Sequence, residues 1–137
     1  MEELEEGTAP RLDFAKLRKV GGAAEDVLPV VLQHADSGEV LFVAYANQRA
    51  LRETLRSGRA VLWSTSRNEL WRKGETSGDV LEVVDVRVNC EQNSLLYRVR
   101  PKGEGACHTR DPKTGRHRAG CYYRVLLGEG DALEFVE

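Results

Sequence analysis

Cysteine is scarce in this chain, with Cys90, Cys107 and Cys121 the only three in 137 residues. An odd count argues against a disulfide framework, and no Cys-x-x-Cys pair marks a metal site by spacing. From spacing alone the three read equally as small buried hydrophobes or as ligands. Long apolar runs are missing too. No stretch of about 18 apolar residues exists, so no segment is expected to span a membrane. Charge of one sign is not in excess, since the net charge is −2, and the balance makes no case for nucleic acid or another polyanion as partner. Met1 to Glu6 is acidic and lacks the basic-then-apolar layout of a secretory leader. Reduced thiols and a cytoplasmic address are the resulting expectation. Repeats and low-complexity segments are absent, as is the strand–helix alternation of a doubly wound sheet.

Hydrophobic residues make up 41% and charged residues 31%, which suits a single domain over residues 1–137. Residues 1–10 read as a flexible acidic tail. Leu12 to Val20 is spaced for a short helix that Gly21 and Gly22 end. Val27 to Gln33 and Glu39 to Tyr45 form a hairpin around Asp36-Ser37-Gly38. Asn47 caps a helix from Gln48 to about Arg56, with Leu51 and Leu55 on one face and Gly58 as its stop. Further strands are expected at Ala60 to Ser64, Leu70 to Arg72, Val80 to Asn89, Leu95 to Val99 and Tyr122 to Leu127. In the longest, Val80, Val84, Val86 and Val88 are expected to share a face opposite Asp85 and Arg87. The sum is an α+β fold, a mostly antiparallel β roll with one main helix.

Three thiolates can hold a zinc ion and leave its fourth position open for water, as a catalytic site requires. The stretch Trp63 to Gly78 is dense in small hydroxyls, glycines and fixed cations, the groups that bind phosphate. By composition alone it reads as a phosphate site or as an ordinary polar turn. A basic run, Arg110, Lys113, Arg116, His117 and Arg118, lies between two cysteines. It is either solvated surface or a contact for an anionic substrate.

Pattern adds to composition. Trp63, Ser64, Ser66 and Arg67, then Leu70, Trp71, Lys73, Gly74, Glu75, Thr76, Ser77 and Gly78, closely resemble the signature of phosphoribosyl-AMP cyclohydrolase. Leu41 to Leu51 looks like the family's Leu-Met-x-Ala-Tyr-Met-Asn segment, with Phe42 and Ala46 replacing the methionines. Ala106-Cys107-His108-Thr109 is similar to its Ala-Cys-His-Thr. The resemblance runs from about Leu28 to Val125. It implies opening of the adenine ring of phosphoribosyl-AMP by water added at carbon 6, in histidine biosynthesis. It also implies zinc on Cys90, Cys107 and Cys121, and an intertwined homodimer whose zinc site draws on both subunits. Ser64, Ser66, Arg67, Trp71, Lys73, Glu75, Thr76 and Ser77 become substrate contacts by the same resemblance, and His108, beside a ligand, becomes the proton carrier.

Two departures stand out. The family's magnesium segment, Asp-Cys-Asp-x-Asp, is replaced by Asn89, Glu91 and Asn93 around Cys90. Two carboxylates have become neutral amides, so magnesium binding should be much weaker or lost. The family places six residues between its last two cysteines, and this chain places 13, His108 to Gly120. Ligand geometry tolerates the longer loop because closure entropy grows slowly with length. Two rival readings remain: a diverged relative that hydrolyses another purine-like nucleotide ring without magnesium, and a non-catalytic module that binds zinc and nucleotide.

Overall fold

The computed structural model describes residues 3–22 and 25–136. Its elements are α1 (Glu3–Glu6), α2 (Lys16–Gly21), β1 (Leu28–His34), β2 (Val40–Ala46), α3 (Gln48–Ser57) and β3 (Val61–Ser64), followed by β4 (Glu69–Arg72), β5 (Leu81–Val88), β6 (Leu95–Pro101), β7 (Arg124–Leu127) and β8 (Ala132–Phe135). The fold is mixed α and β, mostly strands, in line with the expected class. The chain forms two compact units, Ala23–Cys121, and Met1–Gly22 with Tyr122–Glu137.

In the larger unit, β1 and β2 form the expected antiparallel hairpin. Gly38 in its turn sits at φ +79°, a left-handed conformation that glycine reaches without strain. A four-stranded sheet follows in the order β2-β1-β6-β5, antiparallel except for the parallel β1–β6 pair. Side chains alternate across each strand, so Val30 and Leu32 of β1 enter the core with Tyr97 and Val99 of β6. Leu41, Leu62 and Leu81 join them, each no more than 1% exposed.

Helix α3 packs into the same core and starts where expected. The Asn47 side chain accepts the Ala50 N–H at 2.8 Å, satisfying an otherwise orphaned donor, and Gly58 ends the helix at φ +73°. Of the face expected, Leu51 packs on the core and Leu55 does not. Ala50 and Thr54 point inward, while Leu55 is 63% exposed. Thr54 decides the matter with its hydroxyl, which accepts the buried Val61 N–H at 2.9 Å and lies 2.9 Å from the Ala50 carbonyl. A leucine there would leave that donor unpaired.

The facing of β5 also departs from expectation. A bulge between Val83 and Asp85 resets its alternation, so Val83 and Val86 pack on the core while Val84 and Val88 are exposed. The early helix covers Lys16–Gly21 rather than beginning at Leu12. In the smaller unit, β7 begins at Arg124 and pairs with β8, which the sequence reading missed. Leu4, Glu5 and Gly7 of the acidic segment bond to residues at the start of this hairpin. Tyr123 donates to the Glu5 carbonyl, and Arg124 to the Gly7 and Leu4 carbonyls, at 2.8–3.0 Å.

Candidate active site

The polar motif begins on a hairpin and ends in a tight turn. Strands β3 and β4 pair Ser64 opposite Glu69. Ser64 is occupied in building the turn: its hydroxyl accepts the Arg67 N–H at 3.2 Å and its carbonyl accepts the Asn68 N–H at 2.7 Å. Ser66 lies 3.3 Å from that hydroxyl, and both Ser66 and Arg67 face solvent. Trp71 on β4 is half-buried against Phe42, ring centroids 6.1 Å apart.

Past β4 the chain reverses over Gly74–Gly78, whose ends take φ +82° and +85° and join through a Gly78 N–H to Gly74 carbonyl bond of 2.8 Å. The turn leaves Glu75, Thr76 and Ser77 exposed. Beside it opens a cleft of about 510 Å³ whose charged lining is Glu53, Arg56, Arg59, Arg72, Lys73 and Glu75. Four cations against two carboxylates favour an anionic occupant. Ser64, Ser66 and Arg67 do not line this cleft, so the motif is split between two places.

Lys73 and Asp79 turn inward, 8% and 4% exposed. The Lys73 ammonium lies 3.5 Å from the Asp79 carbonyl, and burial lowers its pKa although Asp79, Cys121 and Cys107 oppose that shift. The Asp79 carboxylate accepts the Glu104 N–H at 2.9 Å and pairs with His117 Nδ1. Burial would raise its pKa, but the Glu104 N–H and His117 outweigh burial and hold it below the usual 3.8. A group depressed in this way stabilises the fold above its unfolded value and loses that contribution as pH falls through the folded one. Asp79→Asn should therefore cost about 1–2 kcal/mol at neutral pH and flatten the loss of stability below about pH 4. Urea unfolding across that range checks it. An unchanged acid limb would show that this carboxylate does not couple to folding.

The long segment between the last two cysteines proves to be a local excursion. Ala106 and Cys107 donate to the Ala119 and Arg118 carbonyls at 3.0 Å, and Arg118 donates back to Thr109 at 2.9 Å. Asp111 and Arg116 close the outer turn at 2.9 Å. The insertion returns on itself and leaves its ends adjacent. The Cys121 thiol hydrogen-bonds Cys107 and does most to lower the Cys107 thiol to about 5; burial opposes this, and Thr109 and His108 assist it. Thr109 Oγ1 is 3.0 Å from the Cys107 sulfur, and the Cys121 N–H is held by the Leu41 carbonyl at 2.7 Å.

The basic run is largely consumed by this architecture. Arg110 binds Glu104 and the Gly115 carbonyl, His117 binds Asp79 and Glu104, and Arg118 is buried. His108 is exposed beside Cys107. Cys90 stands apart, exposed on the β5–β6 turn with Asn89, Glu91 and Asn93. Among the described residues no three of His, Cys, Asp and Glu gather closely enough to hold a metal ion.

The phosphoribosyl-AMP cyclohydrolase family model matches residues 42–123, more than half of the chain. A phosphoribosyl-AMP cyclohydrolase from Hyphomonas neptunium is 46% identical over 110 residues, which cover 80% of this chain and 76% of the relative. One from Alkalilimnicola ehrlichii is 46% identical over 113 residues, covering 82% and 72%. A histidine biosynthesis bifunctional protein from Thermus thermophilus is 50% identical over 111 residues, but the match spans only 48% of that longer protein. The chain belongs to the phosphoribosyl-AMP cyclohydrolase family.

Around this candidate site, sequence reasoning missed Asp79, Thr109, Glu104 and the cleft arginines. Three of these carried a usable signal: Arg72 lies inside the motif, Asp79 directly follows the glycine that ends it, and Thr109 closes the Ala-Cys-His-Thr segment. Glu104, Arg56 and Arg59 carry none, because only folding brings them to the site.

Proposed function

We propose that the chain hydrolyses the adenine ring of phosphoribosyl-AMP in histidine biosynthesis, adding water at carbon 6 and breaking the bond to nitrogen 1. The observation that carries this reading is the Cys107–Cys121 thiol pair, held beside buried Lys73 in the unit that bears the family motif. Two soft thiols, one of them Cys107 with its pKa lowered to about 5, suit zinc. Cys90 of the partner subunit would complete a three-sulfur set in a homodimer, which accounts for the distance of Cys90 from the pair within one chain. Val43, exposed on β2, lies in register with Val31 and Leu96 across the outer face of the sheet, an apolar surface suited to a second copy.

Zinc, when bound, lowers the pKa of water to about 7 and so supplies a nucleophile at neutral pH. The chain's own groups do the rest. His108, next to a ligand and open to solvent, moves the proton that the departing ring nitrogen needs. Arg56, Arg59 and Arg72 hold phosphate in the cleft, with the Gly74–Gly78 turn offering Glu75, Thr76 and Ser77 to the ribose. Ser66, Arg67 and Trp71 extend the contact along the hairpin, where Ser64 keeps the turn in shape. Lys73, too buried to reach far, balances the charge of the thiol pair. Reduced thiols in such a site fit a cytoplasmic setting, and no helix among the described residues is long and apolar enough to cross a membrane.

Zinc-loaded protein incubated with phosphoribosyl-AMP, with and without magnesium, should open the ring, followed by absorbance. Nucleotide binding without ring opening would favour the non-catalytic module. Turnover of another purine nucleotide, with none of phosphoribosyl-AMP, would favour the diverged relative.

A further inference from the structure

We infer that the turn between β5 and β6 is built to hold without a divalent cation, by a hydrogen-bonded pair of amides. Asn89 Oδ1 accepts the N–H groups of Asn93 and Ser94, each at 2.9 Å. That identifies the oxygen end of the side chain and aims its Nδ2 at Asn93 Oδ1, 2.7 Å away. The backbone closes the same turn through Gln92, which donates to the Asn89 carbonyl at 3.0 Å from a left-handed φ of +55°.

Aspartates at positions 89 and 93 would set two carboxylate oxygens against each other at this separation. Such a pair needs a shared proton or an intervening cation. Here the amides supply the donor themselves. The Asn89 oxygen already serves two donors and the Asn93 oxygen one, and Glu91 is the only carboxylate in residues 89–94. Magnesium takes carboxylate oxygens in a near-ideal octahedron, and the residues present do not fit it. The clasp also fixes the backbone on either side of Cys90, so this thiol is presented without help from a second metal. The inference holds whichever nucleotide the protein acts on.

A double-mutant cycle on the zinc-loaded protein tests it. Asn89→Asp alone leaves a donor, because the Asn93 amide can turn to offer its Nδ2. Asn93→Asp alone leaves Asn89 Nδ2 facing a carboxylate. Each single variant should keep the parent Tm within about 2 °C. Both substitutions together remove every donor from the pair and should lower Tm by roughly 3–6 °C in magnesium-free buffer, well beyond the sum of the singles. Millimolar magnesium should restore the double variant and leave the parent unmoved. A parent Tm that rises with magnesium, or a double variant as stable as the singles without it, overturns the inference. Should the double variant fold in neither buffer, calorimetric titration of the parent with magnesium decides: no heat supports the clasp, saturable binding sinks it.

Discussion

With zinc on Cys107 as proposed, Cys107→Ser should abolish most zinc binding and lower turnover by roughly three orders of magnitude, the equivalent of several kcal/mol of metal assistance. Serine keeps the shape but not the chemistry. Its hydroxyl stays protonated at neutral pH, whereas the Cys107 thiol is brought down to about 5 by Cys121 and Thr109. Metal binding requires the deprotonated ligand, so the loss falls on affinity first and on rate as a consequence. Burial makes the site unforgiving: Cys107 is 2% exposed, and water cannot readily substitute for the missing sulfur. Elemental analysis reads the first effect and the ring-opening assay the second. Full zinc occupancy in the variant would remove Cys107 from the ligand set.

Gly74→Ala should be the most damaging change outside the cysteines, costing about 3–5 kcal/mol, the upper range for single substitutions. Two causes add. The backbone there is left-handed at φ +82°, which costs an L-residue about 1–2 kcal/mol. A Cβ would also overlap the Asp79 carbonyl carbon and the Val80 nitrogen, backbone atoms with no rotamer to escape into. Gly78 separates the causes, because it is equally left-handed at φ +85° yet a Cβ there meets nothing. Gly78→Ala should therefore show only the conformational part. Chemical unfolding of both variants checks the difference. Equal losses would mean that the crowding at Gly74 is relieved by movement of the turn.

Local chemistry explains what could be read in advance. Asp36-Ser37-Gly38 between two apolar runs, Asn47 before a helix and Gly58 after it each act within a few residues, and each proved correct. The facing of β5 was unreadable because a bulge shifts the alternation by one residue and nothing in the valine-rich run marks it. Leu55 misled because hydrophobicity alone ranks it above Thr54, whereas a hydroxyl that serves a buried N–H wins that position. At the candidate site, the motif named residues but not how they divide between the hairpin and the cleft. The Asp79–His117 pair spans 38 residues and depends on the excursion returning, so only folding could show it. The amides at 89 and 93 were legible as a loss of charge, but their mutual hydrogen bond was not.

The separation of Cys90 from Cys107 and Cys121 has a genetic consequence. If each centre takes Cys90 from one copy and the other two sulfurs from its neighbour, an allele lacking Cys90 and an allele lacking Cys107 fail in different halves of the same centre. A hybrid of the two products rebuilds one intact centre and concentrates both lesions in the other. Two individually null alleles would then complement each other in a mixed population, whereas alleles altered at Cys107 and at Cys121 would not.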